Sequence, residues 1–503
     1  MNIRKLIFLS VFLSVTNTYA QDTTSYINKI AEQVSPLVNL RDEMYSSPAL
    51  RPFYRNYNYA LLAANLEKLD KDLYLRQEGS GYNSLKINSE SFTRNITGIS
   101  LWGKAYYNNE KIKQVNFNET LDYHYVYPYV MSDTVGGDLN AETYYFGGGL
   151  SKKIGRLRYA FQGSFKGVQS FRNRDPRPKN ISSDVNISLS VAKELPKDKA
   201  LSFDLNLQKY NQNNSLDFVN QLGFPLVYHD AGLGVYNEIL AGTRMLAYYK
   251  GFRLGTQLNF VPTNLNGFSA QLGYHRFRLS KGLSSIEDDV SEINEDNIHL
   301  ALAYHLQLQK QSFIVKLKGS FIKRDGIEAT FANLGGTSLY KVTEETRYIN
   351  EKINLQLNAI YGNTTNKLNW FVGLDGTFAN YNENYILPDR FIDYQSLNVG
   401  AFVSALRPVG KSVLNLELKA NYLKILNSDY SWDNIKTNRG IYAMLDNNYK
   451  YLSSDLFLIS AAARVDLPIT NKINLFLKAK GTQGSYSSSG NISELAFSVG
   501  CNF

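Results

Sequence analysis

Five histidines, His124, His229, His275, His299 and His305, are the side chains in this sequence able to serve as a general base at neutral pH beside a Ser or Asp nucleophile. No segment around them resembles a nucleophile motif, and isolated polar histidines are the better reading. His299 and His305 are six residues apart. In a strand they share a face but stand about 20 Å apart, too far to hold one metal ion. Cys501 is the single cysteine, which excludes a disulfide framework and a site built on paired thiolates. The run Asp133-Thr134-Val135-Gly136-Gly137-Asp138 brings two carboxylates around a glycine pair. It lacks the alternating ligand spacing of a dedicated calcium loop and reads as an Asp/Gly turn. Arg172, Arg174 and Arg177 surround Asp175-Pro176, where they would contact lipopolysaccharide phosphates or remain solvated. No cofactor or metal follows from any of these groups.

The remaining candidates are charges that recur at every second position: Arg156, Arg158, Lys166, Lys316, Lys318, Lys419, Lys478 and Lys480, against Asp184, Asp204, Asp375, Glu417 and Glu494. Their sequence neighbours are apolar. From about Ser84 onward, segments of about 10 to 14 residues alternate in this way and are separated by Asn, Gly, Asp, Ser or Pro, which is the period of a strand. Between Asn297 and Gln309, for example, Ile298, Leu300, Leu302, Tyr304, Leu306 and Leu308 share one face and His299, Ala301, Ala303 and His305 the other. Lys310-Gln311 then turns the chain into a hairpin partner that starts at Phe313.

What positions the charges is therefore a sheet, and three features say which kind. Residues 1–20 combine Arg4 and Lys5, an apolar run from Leu6 to Val15 and a small-residue site at Thr18-Tyr19-Ala20, the pattern of a secretory signal peptide cut after Ala20. Beyond it no apolar stretch reaches the roughly 20 residues of a membrane helix, so a membrane protein of this sequence must be a barrel. Short turns near Ile154-Gly155, Pro196 to Asp198, Pro262 to Leu265, Lys310-Gln311, Asn363 to Asn366, Arg407 to Lys411 and Pro468 to Lys472 alternate with longer polar connections near 128–140, 172–182, 212–238, 282–293, 327–341, 381–393 and 428–452. That asymmetry belongs to an outer-membrane barrel with periplasmic turns. Composition agrees: 36 Tyr and 27 Phe supply aromatic girdles. A formal charge of +9 without a basic helix argues against a nucleic-acid partner.

The expected fold is all-β: a transmembrane antiparallel up-and-down β-barrel over residues 82–503, with about 18 strands and 14 or 16 as alternatives. Residues 21–81 form an N-terminal extension, a short plug in the lumen, or the first strand; no helix-period run interrupts the strands after them. The end, SELAFSVGCNF, puts Phe497, Val499, Cys501 and Phe503 on the lipid face and Glu494 and Ser498 on the inner face. It resembles the C-terminal signal read by the barrel-assembly machinery. Cys501 is then a small lipid-facing residue.

Three stretches, LWGKAYYNNEK at 101–111, YPYVMSDTVGGD at 127–138 and RNRDPRP at 172–178, resemble an uncharacterised family of predicted outer-membrane β-barrel proteins of Gram-negative bacteria, a domain of unknown function. The resemblance implies fold and location, a surrounding of outer-membrane lipid and lipopolysaccharide, and an association with TonB-dependent uptake receptors. It implies no activity. If the apolar faces meet lipid, the charges named above line the lumen together with His299 and His305, where they pair across strands or favour anionic solutes. The leading expectation is a non-enzymatic barrel that conducts or assists uptake of a small solute. The alternatives are a closed barrel whose loops bind a partner or lipopolysaccharide, and a lipid-modifying or proteolytic barrel enzyme.

Overall fold

A computed structural model describes residues 26–220, 225–242, 245–333, 339–365, 367–470 and 473–503. The signal peptide expected over residues 1–20 lies outside the described residues. The alternation becomes eighteen barrel strands: β1 (Tyr59–Lys71), β2 (Gly81–Arg94), β3 (Ile99–Val115), β4 (Gly137–Ile154), β5 (Leu157–Phe171), β6 (Arg177–Leu195), β7 (Lys199–Asp217), β8 (Leu246–Pro262) and β9 (Gly267–Leu283). The second half comprises β10 (Ser291–Leu308), β11 (Gln311–Asn333), β12 (Leu339–Thr364), β13 (Asn369–Tyr385), β14 (Arg390–Val409), β15 (Ser412–Trp432), β16 (Leu456–Pro468), β17 (Asn474–Tyr486) and β18 (Asn491–Asn502). Each pairs antiparallel with its neighbour in sequence, and β18 returns to β1, with Phe497 opposite Leu66 and Val499 opposite Ala64. The sheet is closed, so no edge is left to be covered.

Period two sorts the side chains. On β10, Leu300 is 46% exposed while Ala301 beside it is 2% exposed. Outward positions on the other strands are likewise apolar and exposed, as at Leu66, Phe252, Leu374, Leu418 and Phe497. Such a belt is stable only against lipid, and the protein is an outer-membrane barrel. Among the described residues no helix is long and apolar enough to cross a membrane; the strands make the crossing. Turns of two residues at 155–156, 309–310 and 410–411 lie at the end that holds the barrel's termini, where Phe503 N–H donates to Ala60. That end is periplasmic. The longest connections, 116–136, 218–245 and 433–455, lie at the other.

Several connections expected to be long are short because the strands continue past the apolar belt. β11 runs to Asn333 and β13 to Tyr385, so the chain crosses between β13 and β14 in residues 386–389. With water outside as well as inside, these extensions lose the apolar alternation and read as loop. The first strand begins at Tyr59, within the segment 21–81 for which a first strand was one alternative; its outward face, Leu62, Ala64, Leu66, Lys68, is small and interrupted, so the alternation there is weak. A helix, Gly440–Leu452, also stands in the connection after β15 where no helix was expected.

The protein's own segments fill both mouths of the lumen. Ahead of β1, α1 (Tyr26–Val34), α2 (Pro36–Met44) and α3 (Arg51–Tyr54) occupy the periplasmic end. Ser35 caps α2 by accepting from Leu37 N–H, and Pro36 starts it with φ already helical. α2 buries Leu37 and Leu40 against Ile314, Ile360 and Phe371, while Ile30 of α1 meets Leu406 and Val413. At the outer end the connection 116–136, carrying α4 (Tyr123–Val126), folds inward under 218–245. Met131–Ser132 forms a small sheet there with Tyr228–Gly232 and Val235–Tyr236. The helix α5 (Gly440–Leu452) closes over their side.

Candidate functional site

The inner cap is held by polar contacts to the wall around a buried apolar centre. Ser47 Oγ donates to Asp204 Oδ1 at 2.5 Å, Ser190 Oγ donates to the same oxygen, and Asn259 Nδ2 donates to Oδ2 at 2.9 Å. Tyr45 OH donates to the Pro262 carbonyl, and Gln271 Nε2 donates to Ser46 Oγ at 2.9 Å. Lys316, 1% exposed, pairs with Glu43 of α2. Arg158 lies over the Phe53 ring and Arg51 over Trp102. Asp204, Lys316 and Arg158 are thus committed to holding the N-terminal segment.

The outer cap is built on buried charge. Arg172 pairs with Glu119 at 2.9 Å, and Glu119 is fully buried beside Asp133. Burial and then the Asp133 carboxylate push Glu119 well above the usual carboxylate range, with Arg172 opposing. Asp133 Oδ1 accepts from Val135 and Gly136 N–H, whereas Asp138 pairs with Lys111 on the outer wall. The two carboxylates diverge, and the loop is a turn stabilised by Asp and Gly. Arg172 is structural and buried; Arg177 pairs with Asp175 at 2.7 Å. Asp122 receives Lys166 at 2.9 Å together with the hydroxyls of Ser182 and Tyr210. Tyr127 donates to Glu383, and Tyr249 OH donates to the Tyr129 carbonyl.

Between the caps the wall is polar and only half covered. Lys480 pairs with Glu494 at 3.0 Å and Lys419 with Asp375 at 3.1 Å, while Glu417 and Lys478 point inward and are exposed. Lys318 lies beside His299, whose ring is 6.4 Å from His275. Asn354, Gln356, Asn358, Asn398 and Asn421 add amides on the same inner face. Under the outer cap this chamber ends in a cavity of about 260 Å³ whose lining includes Tyr127, Lys352, Tyr381, Tyr394, Trp432 and Asn448. Tyr381 and Tyr394 stack at 4.9 Å, and Lys352 lies over the Tyr381 ring.

Two sequence candidates sit elsewhere than expected. Arg156 does not line the lumen, because β5 starts at Leu157 and leaves Arg156 exposed in the periplasmic turn. His305 is buried with Nε2 2.8 Å from Ser312 Oγ, at the periplasmic end and beyond the chamber. Among the described residues no group of three or more His, Cys, Asp or Glu side chains is arranged to hold a metal. The aromatic cavity was not anticipated. Its signal was the unusual density of Tyr123, Tyr125, Tyr127 and Tyr129 in one connection, more than a solvated loop needs.

The stretches at 101–111, 127–138 and 172–178 are the parts that build this interior: Trp102 receives Arg51, Tyr127 roofs the cavity and Arg172 anchors the cap. Residues 48–503 match a family of unknown function, DUF6850. The chain belongs to that family. The DUF6850 match begins between α2 and α3 and runs through the last strand, so it takes in α3 and the whole barrel and leaves α1 and α2 ahead of it. No curated protein matches it. Among solved structures this DUF6850 barrel is similar to the siderophore receptor PiuA from Acinetobacter baumannii, at 8% identity over 89% of this chain and 82% of that one, with a TM-score of 0.40. It is likewise similar to the ferric yersiniabactin uptake receptor FyuA from Yersinia pestis, at 8% identity over 89% and 80%, with a TM-score of 0.42. Likenesses at this level carry no argument about cargo.

Proposed function

We propose that this protein is a non-enzymatic uptake barrel that receives a small polar solute in the chamber beneath its outer cap and passes it to the periplasm when the N-terminal segment leaves its seat. The observation that carries this reading is the half-exposed polar wall left between two caps that the chain itself supplies. A barrel of this strand number is wide enough to leave an aqueous channel. A purely structural barrel would gain by filling the space with packed side chains. Most of the inner charges are paired, so amide and aromatic contacts, more than net charge, select the solute.

The inner cap buries Leu37, Leu40, Ala49 and Leu50 and seats Lys316 on Glu43, so thermal motion alone displaces it rarely. A partner that does work from the periplasm fits this need, which is where an association with a TonB-dependent system would enter. The test is conductance in planar bilayers. The full-length barrel should be nearly silent, and a variant lacking residues 26–56 should conduct in bursts set by movement of the outer cap that still covers the other mouth. Equal, large conductance by both would refute the reading.

A further inference from the structure

Outside the barrel, at the upper edge of the apolar belt, stands a group of three cations that, among the described residues, form no ion pair. Lys209 on β7 and Arg278 on β9 are both directly opposite Phe252 of β8, one on each side of it, and Lys250 is two residues farther up the same outward face. Phe252 is 53% exposed, and all three cations are exposed. Strand spacing puts the Cα atoms of Lys209 and Arg278 about 10 Å apart, with Lys250 about 7 Å above Phe252. Three long side chains at that spacing can converge on one anionic group.

Five other outward cations of this rim are paired, whereas Lys179 on β6 stands opposite Ser215 and Phe171. Lys68 pairs with Asp70 at 3.2 Å, Lys111 with Asp138 at 3.0 Å, Arg276 with Asp296 at 3.9 Å, Lys323 with Glu351 at 3.8 Å and Lys424 with Asp455 at 2.7 Å. Among the described residues, Lys209, Lys250 and Arg278 take part in no such pair; Lys250 lies over the Tyr248 ring, Asn211, Ser280 and Asn294 face outward beside the three, and Glu292 and Asp296 stand one diagonal step from Arg278. Like charges on adjacent strands repel unless an anion lies between them. Below Phe252 comes Leu254, beside the Arg276–Asp296 pair, and past that pair Tyr274 and Leu272 continue the apolar belt toward the membrane centre. The group that satisfies the cations therefore arrives attached to something that covers this apolar surface.

We propose that Lys209, Lys250 and Arg278, with Phe252 as floor, form a specific seat for the phosphate of an outer-leaflet phospho-glycolipid whose acyl chains lie along β7–β9. Three charge-assisted contacts fix the headgroup, and the belt below fixes the chains. The Arg172 to Arg177 stretch, where sequence alone placed such contacts, holds the outer cap instead.

The experiment uses the full-length barrel purified in detergent and stripped of bound lipid, titrated with bisphosphorylated lipid A, with the same lipid A lacking phosphates, and with pyrophosphate, and read by native mass spectrometry. The phosphorylated lipid should bind at least tenfold more tightly than its dephosphorylated form. The triple variant Lys209→Gln, Lys250→Gln, Arg278→Gln should lose that preference, and a control with Lys152→Gln, Lys197→Gln, Lys411→Gln in and beside the periplasmic turns should keep it. A preference that survives in the first variant overturns the proposal. So does competition by pyrophosphate as strong as that of the lipid, which would mark a site for free phosphate. Should the triple variant fail to fold, Lys250→Gln alone is expected to weaken the phosphorylated lipid three- to tenfold and to leave the dephosphorylated one unchanged; no selective loss there also overturns it.

Discussion

Replacing Ser47 with Ala removes one contact between the inner cap and the barrel wall and leaves the wall intact. Ser47 is 1% exposed, and its hydroxyl donates to Asp204, itself 2% exposed. A hydrogen bond to a charged group contributes about 1.5–3 kcal/mol. Asp204 keeps its donors from Ser190 and Asn259, so the carboxylate is not stripped and the lower part of that range applies. A loss of about 1.5–2 kcal/mol raises the undocked population of the cap roughly 10- to 30-fold. Amide hydrogen exchange reads this ratio directly where opening is in rapid equilibrium. The Ala49 N–H, which donates to Ser190 Oγ, should exchange faster by that factor, while amides of β6 and β7 keep their rates. Unchanged exchange at Ala49 would refute the latch, and so would equal acceleration in the strands, which would mean that the change loosened the barrel as a whole.

The remaining expectations concern charge at the two caps. Glu43→Gln leaves the buried Lys316 ammonium without its carboxylate, and because Glu43 is half-exposed the cost falls below that of a fully buried pair, at about 2–3 kcal/mol. Adding Lys316→Met should recover most of it, and exchange across α2 measures both. Arg172→Met leaves Glu119 buried beside Asp133 and should destabilise the outer cap by about 3–5 kcal/mol, seen as faster protease nicking within residues 116–136 of the folded barrel. Asp230 lies in the outer connection, where burial raises it to about 7 against a Ser132 hydrogen bond and the Lys281 charge; Glu328 also faces Lys281. A carboxyl raised on docking supports the docked cap fully below about pH 4, and that support fades as the pH rises through about 7. Glu328 is raised to about 7 as well, while Lys281 is lowered to about 7 and opposes the trend above that pH, so nicking of the outer cap should increase between pH 5 and pH 7, and Asp230→Asn should reduce the slope.

The barrel was legible because lipid is an unforgiving solvent. Every outward position inside the belt has to be apolar, and period two then declares the strand, its face and its turns. Nothing comparable constrains a residue that faces the lumen, where Asn398, Lys419 and Ala462 serve equally well, so the sequence was silent about what occupies the interior. Residues 26–58 form helices of nine, nine and four residues, restarted at Pro36 and Pro52, and pieces that short carry too few turns for a helical period to identify a plug. The run from Tyr123 to Asp138 looked like an outer turn because Asp133 and Gly136 do make one, yet Met131 within it is completely buried. Arg156 followed the correct alternation one step beyond the end of its strand. The phosphate seat at Lys209 and Arg278 could not be read at all, since it depends on which strands are neighbours and on the absence of carboxylates opposite.

The seam between β1 and β18 has a consequence for the order of events. Synthesis delivers the inner cap first and the closing strand last, because α1 to α3 precede β1 and β18 ends the barrel. The cap's partners, Ser190, Asp204, Asn259, Lys316 and Leu406, all lie on strands made between those two. A sheet that closes at this seam, where Phe503 joins Ala60, has the cap's seat complete on the intervening strands before the ring is shut. Closure at the β1–β18 seam is thus the step that turns a seated cap into an enclosed one.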